Sequence, residues 1–199
     1  MSDTPIKIAV FSGSLRKESL NTKLVLYVAG EMETGGGVEL DLISLNALNL
    51  PIYDEDIETA EFPQAALELK RRMMAADGFL ISSPEYNGSI SGALKNAIDW
   101  ASRPRPDEES LACFKGKTCG LLAASPGAIG GLRGIRHVRQ ILTQVQMVVV
   151  PQEFALAKAH EAFDSENKLR DENTAKMAVG VGKALVTMTR TLKDAEKAR

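Results

Sequence analysis

Three short stretches of this chain carry residue types suited to holding an anion or a flat ligand, and each follows an apolar run. The first is Ser12-Gly13-Ser14-Leu15-Arg16-Lys17-Glu18-Ser19-Leu20-Asn21-Thr22. Hydroxyls, a glycine and an arginine at a helix start suit a phosphate. The first-turn N–H groups and the positive dipole end point outward there, and Arg16 can add a bidentate charged contact. The same residues also read as a capped helix, with Ser14 and Ser19 as caps and Arg16 as a solvated charge. It is not a nucleotide P-loop. Gly116-Lys117-Thr118 copies the tail of G-x-x-x-x-G-K-[ST], but position 111 is leucine and the segment enters a strand; G-x-G-x-x-G occurs nowhere.

The second stretch is Ser82-Ser83-Pro84-Glu85-Tyr86-Asn87-Gly88-Ser89-Ile90-Ser91. Pro84 holds Ser83 extended, and Asn87-Gly88 favours a tight turn with a left-handed residue. Such a turn presents successive N–H groups beside an aromatic ring. A flat heteroaromatic with acceptors on its edge fits, Tyr86 flanking a face and the turn amides bonding the edge. The plainer alternative is a strand-to-helix turn with Tyr86 as surface cover. The third stretch is Ser125-Pro126-Gly127-Ala128-Ile129-Gly130-Gly131-Leu132-Arg133. Its small residues let a ligand approach the backbone closely, or simply make a pliant loop.

The elements that must position these loops alternate along the chain. Ile6–Phe11 is a nearly continuous apolar run, as expected of a strand buried on both faces. Leu20, Leu24 and Val28 then share a helical face, Gly35-Gly36-Gly37 stops the helix, and Val38–Leu42 alternates as a second strand. Residues 44–62 read as a long loop with at most one short turn, and Pro63 opens a helix through Ala66, Leu69, Met73 and Ala76. Gly78–Ser82 is a third strand, Ser91–Ala101 a helix, Lys117–Ala124 a fourth strand and Leu132–Val145 a helix. Met147–Val150 is a fifth strand closed by Pro151; residues 151–170 read as irregular, and Asp171–Lys197 as the last helix.

This alternation predicts an α/β domain covering residues 1–199, a doubly wound five-stranded parallel sheet of order 2-1-3-4-5 with helices on both faces. In such sheets ligands bind beyond the carboxyl ends of the strands, where the order reverses. That point falls between strands one and three, whose loops are the first two stretches.

Composition removes other classes. With 24 Lys+Arg against 26 Asp+Glu the chain lacks the basic face a nucleic acid needs. At 44% apolar and 25% charged it reads as a soluble globular protein. No apolar run approaches the roughly 18 residues of a membrane span, and Met1–Ile6 lacks signal-peptide order, so a cytoplasmic protein is expected. Cys113 and Cys119 match no zinc or redox spacing, and His137 and His160 have no H-E-x-x-H context, so no metal site is expected. G-x-S-x-G is absent, which argues against a serine hydrolase.

Ser12-Gly13-Ser14-Leu15-Arg16 with Ser19 and Asn21, then Pro84-Glu85-Tyr86-Asn87-Gly88-Ser89 with Gly92-Ala93-Leu94-Lys95-Asn96-Ala97-Ile98-Asp99-Trp100, closely resembles the NADPH-dependent FMN reductase family. That family comprises flavodoxin-like quinone, azo-dye and chromate reductases. The resemblance implies a flavodoxin-like fold and an FMN phosphate surrounded by Ser14, Arg16, Ser19, Asn21 and Thr22, with Ser12 and Leu15 in the same cofactor-binding set. It implies that Pro84, Glu85, Tyr86, Asn87 and Gly88 line the isoalloxazine, Tyr86 being a candidate substrate gate, and that Ser125 and Gly127 close the other side.

The implied activity is a ping-pong transfer of two electrons, from NADPH (or NADH) to flavin N5 and on to a small-molecule acceptor. No side-chain nucleophile is demanded, since the cofactor carries the chemistry. Arg103 and Arg105 are available cations for a 2′-phosphate, and read more simply as solvated charges. The rivals are a flavodoxin-type electron carrier, which a net charge of −2 suits poorly, and a binding module for another anion. The family implies a homodimer or homotetramer. The two apolar rows of helix 91–101, Leu94/Ile98/Ala101 and Ala93/Ala97/Trp100, place Trp100 near a subunit contact.

Overall fold

The computed structural model describes residues 5–198. Residues 1–4, on which part of the cytoplasmic expectation rests, lie outside them. Strands β1 (Ile6–Ser12), β2 (Val38–Leu42), β3 (Gly78–Ser82), β6 (Thr118–Ala124) and β7 (Val148–Leu156) form one parallel sheet of order β2-β1-β3-β6-β7. Counted without the two-stranded ribbon β4 (Glu85–Tyr86) and β5 (Ser89–Ile90), this is the expected 2-1-3-4-5 order, and the fold is flavodoxin-like. The central strands β3 and β6 are buried along their whole length, which is why they read as unbroken apolar runs.

Helices α1 (Leu20–Thr34) and α7 (Glu172–Lys197) cover one face. Helices α4 (Gln64–Ala75), α5 (Gly92–Ser102) and α6 (Leu132–Gln144) cover the other. Ser19 caps α1 through the Thr22 amide, Ser91 caps α5 through Leu94, and Asp171 caps α7 through Thr174. Pro63 stands at the N-cap of α4 rather than within its first turn. Among the described residues no helix is long and apolar enough to cross a membrane.

Three expectations are corrected. Pro151 does not end the last strand; β7 runs on to Leu156. Its partners pass from Cys119↔Val149 to Leu121↔Glu153, so the chain bulges at Pro151-Gln152. An edge strand tolerates this because one row of its N–H groups has no ladder partner to lose. Residues 44–62 hold two short helices, α2 (Leu45–Leu48) and α3 (Glu55–Ala60), capped by Ser44 and Asp54. At four and six residues, neither is long enough for a helical periodicity to show.

The third correction concerns Trp100, which is fully buried inside the chain rather than presented to a neighbour. The strap formed by residues 50–62 covers it. Trp100 Nε1 donates to the Pro51 carbonyl at 2.8 Å, where Asn96 Nδ2 also donates, and Asn96 Oδ1 accepts the Tyr53 amide. Tyr53 and Phe62 meet the indole edge-on, with centroids at 5.0 and 5.3 Å. Trp100 and Asn96 therefore anchor the strap to α5. Trp100→Ala is expected to lower unfolding free energy by about 3–5 kcal/mol, measured by urea titration of the ligand-free protein. A loss under ~1 kcal/mol would show that the indole does not hold the strap.

Candidate functional site

The chain leaves β1, β3 and β6 at the same edge of the sheet, and the three following loops meet around one cleft. Ser14, Arg16, Ser19 and Asn21 line it from the first loop, Pro84, Glu85 and Tyr86 from the second, and Ser125 from the third. Leu20, Ala124 and Pro126 line it as well, and sequence reasoning missed them. Leu20 reads as a core-face residue and Ala124 as the end of a strand, so neither residue type signals a ligand. Ser12 lies beneath, Leu15 stands half-exposed, and Thr22, Asn87, Gly88 and Gly127 sit outside the cleft lining.

The first loop is built as a row of turns. Ser12 Oγ accepts the Ser14 amide and Ser14 Oγ accepts the Arg16 amide. Ser19 Oγ accepts the Thr22 amide as the cap of α1, leaving the Leu20 and Asn21 amides of the opening turn without partners among the described residues. The exposed guanidinium of Arg16 has no hydrogen bond or ion pair among the described residues. Unpaired amides, a helix dipole and an unpaired cation converge here, an arrangement suited to an anion. Gly13 is required beneath it: a Cβ would come within 2.9 Å of Leu94 Cβ, and the Gly13 carbonyl accepts Ser91 Oγ at 2.6 Å.

The side chain of Asn21 is engaged away from the cradle that its backbone amide joins. Its buried amide ties the strand ends together: Oδ1 accepts from the Ala124 amide and from Ser82 Oγ, and Nδ2 donates to the Ala124 carbonyl, each at 2.9 Å. The second loop folds as a hairpin whose two tip residues, Asn87 (φ 53°) and Gly88 (φ 78°), are both left-handed. That is the geometry Asn-Gly supplies in a two-residue turn. Tyr86 stands exposed on it. The Glu85 carboxylate turns away toward α6, accepting from Arg133 Nε at 2.7 Å and the Gly134 amide at 3.1 Å. Burial alone would raise its pKa, but these bonds hold it below the usual carboxylate range. The third loop is closed by the Gly127 amide on Ser125 Oγ.

Other candidate residues lie elsewhere. Arg103 pairs with Glu58 and stacks over Tyr53, and Arg105 lies over Phe62, so both belong to the strap rather than being simply solvated. Lys117 donates to the carbonyls of Met73, Met74 and Ala76 at the end of α4, which explains the P-loop-like tail as a helix clamp. Cys113 and Cys119 are buried, and burial pushes the Cys113 thiol up to about 11. No cluster of His, Cys, Asp and Glu suited to a metal occurs among the described residues.

A doubly wound sheet with an anion cradle after β1 and an amide-presenting hairpin after β3 defines a flavodoxin-like mononucleotide-binding protein. The chain belongs to the NADPH-dependent FMN reductase family, whose sequence profile matches residues 6–161, and is an oxidoreductase using FMN and NAD(P)H. It is 37% identical over 194 residues to an NAD(P)H-dependent FMN reductase of Pseudomonas aeruginosa, covering 97% of this chain and 100% of that one. It is 34% identical over 172 residues to a 2-hydroxy-1,4-benzoquinone reductase of a Burkholderia species, covering 86% and 89%. Among solved structures, FerB, a flavoenzyme NAD(P)H:(acceptor) oxidoreductase from Paracoccus denitrificans, superposes with a TM-score of 0.78 at 34% identity, covering 94% of this chain and 98% of that one.

Removing the Asn21 amide separates support from ligand contact. Asn21→Ala leaves both backbone groups of Ala124 unpaired in the interior and is expected to lower the stability of the ligand-free protein by about 2–5 kcal/mol. Chemical denaturation measures this; an unchanged midpoint would return Asn21 to a purely ligand-facing role.

Proposed function

We propose that the three-loop cleft binds FMN, its phosphate in the Ser14–Thr22 cradle and its ring system along the 84–88 hairpin. The chain then acts as an NAD(P)H-dependent reductase of quinone-type acceptors. The unpaired Arg16 guanidinium beside the open first turn of α1 carries this reading, because among the described residues none is bonded or ion-paired to that convergence of positive charge. The fit to FMN extends across the cleft. The hairpin offers backbone donors and an exposed phenol ring, which suit a flat heteroaromatic with polar edges. Ser125 and Pro126 bound the remaining side. Flavin, azo and chromate-type acceptors belong to the same proposal, as do a cytoplasmic setting, one FMN-binding domain over residues 1–199 and a homodimer or homotetramer. The oligomer rests on the family resemblance alone, since Trp100 gives it no support.

Bound FMN supplies the capacity to accept a hydride equivalent and pass on two electrons. The protein's residues hold and orient. Arg16 and the α1 amides bind the anionic end, Ser12 and Ser14 fix the loop that carries them, and Pro84 sets the hairpin's departure from β3. Tyr86 stands at the open side, where it can flank both nicotinamide and acceptor. No proton relay is required of any side chain. Family membership sets aside the electron-carrier and anion-module alternatives.

Arg16→Ala is expected to weaken FMN binding by about one to two decades, the equivalent of a charged hydrogen bond of roughly 1.5–3 kcal/mol. Fluorescence titration measures it, and the melting temperature of the ligand-free protein should barely change. Riboflavin, lacking the phosphate, should bind wild type and variant alike; equal wild-type affinity for FMN and riboflavin would sink the cradle assignment.

Turnover is expected to be ping-pong, since donor and acceptor share the open side by Tyr86. Double-reciprocal plots against NADPH at several fixed quinone concentrations should be parallel, and Tyr86→Ala should alter both half-reactions while retaining FMN. Intersecting lines would mean a ternary complex and exclude a shared face.

A further inference from the structure

Each strand of the 85–90 hairpin has only two residues, and a ribbon that short is not stable in water by itself. Something outside must hold it, and both of its strands are tied to α6. On β4, Glu85 accepts from Arg133 and from the Gly134 amide; on β5, Ser89 Oγ lies 2.9 Å from His137 Nδ1, one turn further along the helix. The ribbon also lies directly on the helix backbone. A Cβ on Gly134 would meet Glu85 Cβ at 3.2 Å and both Glu85 Cα and the Ser89 carbonyl at 3.3 Å.

The helix for its part has an incomplete N-terminus. Its N-cap, Gly131, is left-handed at φ 95° and has no side chain with which to accept the first-turn amides. Glu85 reaches in from the hairpin and does so, an anion placed at the positive end of the dipole. Arg133 covers this carboxylate from the solvent side: its own side chain is 66% exposed while that of Glu85 is 8% exposed. Hairpin and helix thus complete one another, and both oxygens of the Glu85 carboxylate are engaged by α6.

We propose that Glu85, Arg133, Gly134 and His137 are positioning residues that lock the hairpin onto α6 and thereby set Tyr86 and the Asn87–Gly88 amides against the ligand. The ligand half rests on the flavin site proposed above. Glu85 then acts on the flavin through the backbone it anchors, not by contact. His137 is the second pin.

Hydrogen exchange on the ligand-free protein tests the lock without reference to activity. Glu85→Gln, Gly134→Ala and the surface variant His137→Ala should each speed exchange of the 86–90 amides, about tenfold for the first two, while β3 and β6 amides keep wild-type protection. Glu85→Gln and Arg133→Ala should be non-additive, since they break one contact. In the FMN-loaded protein the first two variants should change the visible circular dichroism of the flavin. They should also weaken FMN and riboflavin by the same factor, leaving their ratio at the wild-type value because the phosphate cradle is untouched.

Unchanged exchange at 86–90 in all variants would overturn the lock. Loss of FMN preference with riboflavin binding intact would overturn it too, by placing Glu85 with the phosphate. Wild type that takes up no FMN would overturn the flavin reading, while the exchange data on ligand-free protein would still decide the lock.

Discussion

The side chain of Asn21 is the point on which the site depends. Three parallel strands end side by side, and three loops must depart from them without leaving buried backbone groups unpaired. One amide meets that demand, accepting at Oδ1 from the end of β6 and the Ser82 hydroxyl and returning a bond from Nδ2 to the Ala124 carbonyl. Because Asn21 stands in the first turn of α1, the same residue fixes where that helix begins relative to the sheet. The cradle, the start of the second loop and the start of the third are thereby held in one frame. The Gly13 carbonyl and Ser91 Oγ add a second tie, from the first loop to the cap of α5.

The two halves of the cleft are held by different means. The turns of the first loop are closed by short serine side chains, with the end of β1 directly before them. The hairpin side projects past the sheet and borrows its order from α6, through an ion pair, a helix amide and the Ser89–His137 contact. The strap of residues 50–62 provides a third kind of support. It packs over Trp100 and leaves Arg103 and Arg105 against aromatic rings rather than at the site. The charge directed at the cleft is consequently local, centred on Arg16, on a chain whose net charge is only −2.

Much of this was legible along the chain. Strands β2 and β3 begin and end where their residue patterns do, at Val38–Leu42 and Gly78–Ser82, and Ser19, Ser91 and Asp171 mark helix starts. Where the reading failed, a local signal was outweighed by its surroundings. Pro151 breaks a ladder only where its missing N–H has a partner, and on the edge strand β7 the bulge removes that demand. The apolar width of α5 is real, but Ala97 of its second row joins the main core while Trp100 lies under the strap, and a strap whose apolar anchors are separated by acids does not declare what it covers.

The sequence by itself determined the alternation of strand and helix, the sheet order, and the three loops that meet around one cleft. Apolar runs, caps and an Asn-Gly turn are local properties, and each residue states its own preference. Only the tertiary structure decided what each polar side chain in those loops does. Asn21 and Glu85 have the residue types of ligand contacts, yet one is turned to the strand ends and the other to a helix start. A polar group enclosed by folding must bond to whatever donor or acceptor the fold leaves unpaired nearby, and those unpaired groups exist only once distant elements have met.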